Sequence, residues 1–520
     1  NITLLKVKVG ILAVSCLSIT ALFACVDKDA RSDLSPNLPT DQAQNGDFGD
    51  QGGGSDQGLN FPVFDDGVLA FPGAEGYGKN ATGARTGEGR EIYHVTNLND
   101  AGPGSFRDAV SKPWRIIVFD VSGVIKLSKD PVVLKSNQTI LGHTAPGDGI
   151  VLYNGRVSAS GAQNLIVRYL RIRMGAAYPS DQVDACGVAN GADMIFDHCS
   201  MTWGRDECFS INPDGKGTAP KNITIQNSII GQGLQNHSCG GLMQTDISNG
   251  CTIFRNLYID NKTRNPKVKG LNQFVNNVVY NWGSGAAYNM GGDSSGKSET
   301  TIENNYFIVG PCNNWQNVEI APKVYEAQQV PMNPARPFTG GNSDFRSYCK
   351  GNYYDYDKDG ALNGIEITEV NWSQYCSGSP TLLEARSDLH PIIRSQKSAQ
   401  EAYEWVVEKV GAYLPVRDEV DKYLIDELTS LGGKGTIIQD ERKTEQFPLG
   451  GPGTINAAQK PLDSDNDGMP DAFEDAWGLD KYDPTDAVKE AKNGYLNIEN
   501  YALSLEYPDE YEYELNKNKQ

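Results

Sequence analysis

NLIVRYLRI (164–172), DMIFDHCSM (193–201), NITIQNSII (222–230), TIFRNLYI (252–259), QFVNNVVY (273–280) and TIENNYFI (301–308) read alike. Each alternates apolar and polar residues over a few positions, is rich in Val, Ile, Phe and Tyr, and belongs to a strand followed by a turn. Aligned on the column Tyr169, His198, Asn227, Asn256, Asn277 and Asn304, they recur at steps of 29, 29, 29, 21 and 27 residues. A near-regular period of this size marks stacked supersecondary units. The unit is strand and turn with no helical pattern, so the chain is expected to be all-β, a right-handed parallel β-helix. Asn side chains repeated at an inward turn are expected to hydrogen-bond from coil to coil as a ladder.

The same period positions chemistry. Successive coils lie ~4.8 Å apart, so equal offsets from the column stack on one face. Eight residues beyond it stand Asp206, Gln235 and Arg264, with Asp181, Asp184, Glu207, His237 and Lys269 near them. Acids therefore gather on the early coils and bases on the later ones. Lys262, Arg264, Lys267 and Lys269 form a basic run without an acid, which suits either a solvated turn or a local anion-binding patch. Net charge is −20 over 520 residues, which argues against nucleic acid, whose phosphates need Lys and Arg.

Working outward, residues 1–25 run from Lys6 and Lys8 through ILAVSCLSITALF to Ala24 and Cys25. This is a signal-peptide pattern too short for a comfortable membrane span. Leu22, Phe23, Ala24 and Cys25 resemble a bacterial lipobox, so Cys25 is expected to carry lipid; ordinary cleavage nearby is the alternative. Residues 26–60, with DFGDQGGGSDQG, form a flexible tether. A globular region spans 61–439, a linker 440–461 and an acidic module 462–520. Ser398 and Glu401 make a capping box for one helix, and DEVDKYLIDELTSL (418–431) gives a second. DSDNDGMPDAFE (463–474) places Asp463, Asp465, Asp467, Gly468, Asp471 and Glu474 at positions 1, 3, 5, 6, 9 and 12 of a calcium loop, with the Met469 carbonyl at position 7. Asp355, Asp357, Asp359 and Glu366 hold positions 1, 3, 5 and 12 of a second such spacing, which also suits a polar Asx turn. Of ten cysteines, eight lie beyond Cys25; in an exported chain they allow up to four disulfides or stand as buried thiols.

AFPGAEGYG (70–78), RIIVFDVSG (115–123), TILGHTAPG (139–147), Phe196-Asp197-His198-Cys199 and Arg264-x-Pro266-x-x-Lys269 together resemble the family 1 polysaccharide lyases, the pectate lyases, over about residues 71–431. The resemblance implies calcium-dependent cleavage of α-1,4-polygalacturonate by β-elimination. It implies Asp184 and Asp206 as acids of the catalytic calcium, assisted by Asp181 and Glu207, and Arg264 as the base. It implies Lys269, with Lys267 and His237 nearby, as substrate contacts. Ser210 stands where the family usually has a further Asp. His198 falls in the turn column and is expected to be an interior hydrogen-bonding residue rather than a catalyst. The partners implied are pectate and, through lipid alone, an outer membrane; a monomer is expected. A polygalacturonase-like hydrolase on the same solenoid would need two carboxylates flanking the bond, and only the adjacent Asp206 and Glu207 are evident. A non-catalytic pectin-binding surface protein would need a groove but no Arg264, and a calcium-free pectin lyase would not need Asp184 and Asp206.

Overall fold

The computed structural model describes residues 67–512 except 129, 284–285, 292–296 and 315–335. The signal segment, Cys25 and the tether lie outside the described residues. The described chain winds through three sheets of 11, 10 and 8 strands, visiting each once per coil. One coil runs Gly191–Asp197, Ser200–Thr202 and Phe209–Ile211; the next runs Lys221–Gln226, Ile229–Gly231 and Leu242–Gln244. Pairing between coils is parallel, and one antiparallel hairpin closes the second sheet. This is the parallel β-helix expected from the repeat.

A single left-handed residue turns each coil from the first sheet to the second: Tyr169, His198, Asn227, Arg255, Asn276 and Asn304, with φ between 50° and 58°. Their register follows the strands, with Asp197, Gln226, Phe254, Val275 and Glu303 paired in succession. The expected column therefore slips by one residue: Asn256 and Asn277 belong to the next position. There Ser228, Asn256, Asn277, Asn305 and Asn352 form the buried ladder, the first four each donating a backbone N–H to the Asn Oδ1 of the next coil at 2.7–3.2 Å. The slip has a physical cause. The outer position needs a residue that tolerates φ > 0, the inner one an amide that bonds in both directions, and Asn suits both. His198 is buried as expected, but outside the solenoid interior. It stacks on Tyr169 at 4.9 Å and its Nδ1 lies 3.2 Å from the Gly411 carbonyl.

The interior is filled by stacked Ile, Val, Phe and Met. All eight described cysteines are free thiols, seven of them buried. Of the two readings left open, the buried thiol holds among the described residues: Cys186, Cys199, Cys208, Cys251 and Cys376 pack as small apolar side chains in the interior. The helices Ala399–Lys409 and Glu419–Thr429 cover the second sheet, laying Val406, Val420, Leu424 and Leu428 against Ile229, Leu257 and Val278. The capping box of Ser398 and Glu401 is formed. Beneath these helices Arg173 pairs with Asp418 and Asp421 at 2.7 and 2.9 Å. Residues 440–461 are not a free linker. Phe447 is fully buried, and Glu441 accepts from Tyr153 Oη and Ala176 N. Nor does the following module stand apart. Met469, Phe473, Trp477 and Ile498 pack on Ile116, Val118, Leu141, Ile166 and Ile195 of the first sheet. The first two sheets are thereby covered, whereas Leu242, Gln244, Lys267 and Lys269 leave the third half exposed.

Candidate active site

The strands Cys186–Val188, Phe209–Ile211, Leu242–Gln244 and Lys267–Lys269 lie side by side in the third sheet. The turns entering them deliver Asp184, then Asp206 and Glu207, then Arg264. Parallel bridges join Glu207 to Cys239 and Cys239 to Thr263. Cys239, not Gln235, therefore fills the coil between Glu207 and Arg264. The middle turn is longer than its neighbours, so equal counting from the column falls short on that coil. Gln235 instead donates its N–H to Ile438. The longer turn brings His237 Nδ1 to 3.0 Å from Asp206 Oδ1.

Arg264 Nη1 contacts Glu207 Oε1 and lies 3.7 Å from Asp206 Oδ1. Asp184 Oδ1 accepts the Glu207 N–H at 3.4 Å. Residues 80 apart in sequence thus meet on one face. Asp181 is exposed on the loop before Asp184, and Lys262 donates to the Asn236 carbonyl. Lys267 and Lys269 follow Arg264 on the open sheet face, with Asn289 paired beside Lys267. Ser210 is buried and its Oγ accepts the Leu242 N–H at 3.1 Å, so it offers no charge to the cluster.

Burial raises the Glu207 carboxyl to about 8, and the negative Asp184 beside it adds to the rise while Arg264 opposes it. Burial likewise raises Asp184, with Asp206 adding to it. For Arg264, burial works against the charged form, but Cys239, Glu207 and Asp206 carry the group above its ordinary value. Three crowded carboxylates demand a positive partner. Their oxygens fit a hard divalent cation such as calcium. The Cys239 sulfur, within 4.8 Å of the Asp206 and Glu207 oxygens, is too soft a donor for that ion.

The sequence pointed to two other acidic loops. Around 355–366 the Asp side chains accept from their own loop: Asp355 from Asn363 N, Asp357 from Asp359 N and Asp359 from Ala361 N. Glu366 lies on the returning strand opposite Tyr353. The turn is an Asx-rich hairpin, and it does not gather Asp355, Asp357, Asp359 and Glu366 as one ligand set. In the second loop Asp463, Asp465 and Asp467 converge, and Asp467 also meets Glu474 and Asp486. Asp471 turns away, accepting from Ser464 N and Oγ at 2.7 Å each. Asp486 comes to this cluster from a later turn, beyond the reach of any loop spacing, so the sequence reading did not include it among the acids of the loop.

The family model for pectate lyase matches residues 70–324. A protein of Aspergillus fumigatus named "Probable pectate lyase C" is 49% identical over 438 residues, which are 84% of this chain and 94% of the relative. A protein of the same name from Emericella nidulans is 48% identical, over 84% of this chain and 93% of its own. Among solved structures, the thermostable pectate lyase PL 47 gives a TM-score of 0.46 at 14% identity, covering 66% of this chain and 98% of that one. With about half of the aligned residues identical across nearly the whole length of those relatives, the chain belongs to the pectate lyase family.

Proposed function

We propose that the enzyme cleaves α-1,4-linked polygalacturonate by calcium-dependent β-elimination. The observation that carries this is the meeting of Arg264 with Asp206 and Glu207, beside Asp184, at the edge of an open sheet face. In the reaction a base takes the C5 proton, the C5–H electrons form the C4–C5 double bond, and O4 leaves with its bonding pair and is protonated. Calcium held by Asp184, Asp206 and Glu207 would offset the charge on the C6 carboxylate and so favour the enolate-like transition state. Arg264 is the base in this scheme. It acts only when Glu207 and Asp206 are compensated by another cation, because those acids otherwise hold the guanidinium charged. Lys269 and Lys267 grip the substrate carboxylates and, once the acids are compensated, disfavour a charged Arg264. His237 borders the site through Asp206.

A hydrolase is the weaker reading, since Glu207 is tied to Arg264 and crowded by Asp184 and Asp206, whereas hydrolysis needs two carboxylates set on either side of the bond. The test is polygalacturonate with calcium, read by the near-ultraviolet absorbance of the new conjugated double bond. Reducing ends without that absorbance mean hydrolysis, and loss of both signals on chelation ties the reaction to the metal. Export with lipid at Cys25, leaving the chain on an outer membrane, completes the proposal. Among the described residues no helix is long and apolar enough to cross a membrane. Labelled palmitate entering the wild type but not Cys25→Ala is the expected result.

A further inference from the structure

We propose that Asp463, Asp465, Asp467, Glu474 and Asp486 form a closed structural calcium site whose ion fastens the C-terminal helices to the outer face of the first sheet. Acidic residues often cluster without a ligand, so the state of their oxygens decides. Both oxygens of Asp465, both of Glu474, Asp467 Oδ2 and Asp486 Oδ1 are shielded from solvent and have no hydrogen-bond partner. Glu474 is 0% exposed, Asp467 3% and Asp486 4%. Buried carboxylate oxygens left bare are costly unless a cation meets them.

The geometry fits one ion. Within each of two triplets, Asp463–Asp465–Asp467 and Asp467–Glu474–Asp486, the ligand atoms lie within 4.8 Å of one another. Oxygens sharing one calcium at ~2.4 Å lie no more than ~5 Å apart. Asp467 belongs to both triplets and so can join them in a single centre. Six bare oxygens with neither His nor Cys among them suit calcium rather than zinc, and magnesium would retain several waters.

The position of the centre gives it a task. Asp463 lies 3.4 Å from Lys460 Nζ, which reaches Asp120 at the end of a first-sheet strand at 3.0 Å. Gly468 packs so closely that a Cβ there would stand 3.2 Å from Ile498, 3.3 Å from Val118 and 3.4 Å from Ile92. Asp486 also ties in the helix Asn497–Glu506, since its carbonyl accepts from Asn497 Nδ2 at 2.9 Å. Closing the loop on an ion therefore fixes the Met469 and Phe473 side of the module onto the sheet.

The experiment uses the full chain carrying Asp184→Asn and Asp206→Asn, which silences the catalytic acids, stripped with chelator and titrated with calcium. One ion per chain should bind and raise the melting temperature. Adding Asp486→Asn should weaken that binding by about 100-fold or more, whereas Asp471→Asn should change it by less than about threefold. No binding and no thermal shift in the parent overturns the proposal, as does Asp471→Asn acting like Asp486→Asn. If Asp486→Asn does not fold, terbium excited through Trp477, one turn from Glu474, reports the site. Luminescence competed away by calcium supports it, and its absence overturns it.

Discussion

Arg264 shows how strongly one residue depends on its neighbours. Its guanidinium is held by Glu207 and Asp206, so Arg264→Ala removes both the proposed proton acceptor and the charge facing three acids. Activity on pectate should fall by at least about 1,000-fold, while calcium affinity should hold or rise, because a competing cation has gone; initial rates and calcium titrations check the two halves. Glu207 supplies a pH dependence with a definite sign. Its carboxyl is raised to about 8 by burial and by Asp184. Below that value it is protonated and proton competes with metal, and above it the carboxylate is free. Calcium affinity at this site should therefore rise with pH until about 8 and then level, and activity at limiting calcium should follow it into the alkaline range. In Glu207→Gln the step should vanish, and an acidic optimum in the wild type would count against Arg264 as base. These residues were legible because the acids and the Arg-x-Pro-x-x-Lys arrangement recur at coil spacing. Cys239 was not, because the turn carrying His237 is longer than its neighbours and breaks the count.

At the scale of the element, the ladder and the left-handed turn sit one residue apart and do different work. Asn277 Oδ1 accepts from both the N–H and the side-chain amide of Asn256, and its own amide donates to the Ile253 carbonyl. Asn277→Ala strips buried groups on two coils of partners and should destabilise the fold by about 2–4 kcal/mol. Asn304 serves instead a φ of 53°, and Asn276 combines a φ of 58° with hydrogen bonds to both backbone groups of Lys397. At Asn304, Gly meets that conformational need without a side chain, so Asn304→Gly should stay within about 1 kcal/mol of the parent. Urea denaturation of the two variants separates the roles, and equal losses would mean the ladder does not run through Asn277. The strand repeats were readable because alternation survives any register. The choice between two adjacent Asn columns was not, because Asn-Asn pairs at 276–277 and 304–305 satisfy both alignments.

On the scale of the whole molecule, the terminal segments are the outer walls of the solenoid. Composition alone suggested a linker and an acidic appendage, since Gly450, Gly451 and Gly453 break up residues 440–461 and acidic residues are dense beyond them. What that view lacked was the destination of the apolar stripe Met469, Phe473, Trp477, Ile498 and Ala502, which closes on Ile116, Val118, Leu141, Ile166 and Ile195. Two buried arginines lock the same wall: Arg85 pairs with Glu499 at 2.8 Å, and Arg168 with both Asp197 and Glu506. A chain ending at residue 461 would bare that sheet face and strand Arg168 and Arg85 without Glu506 and Glu499. Losing one partner of a buried pair typically costs about 3–5 kcal/mol, and the exposed sheet would invite association. The truncated chain should therefore be recovered aggregated or with its melting temperature sharply lowered, although every residue assigned to catalysis remains. Size-exclusion chromatography and a melting curve decide the matter. A truncated chain that stays monomeric, melts like the parent and cleaves pectate at the parental rate would show that the terminal helices are an appendage after all.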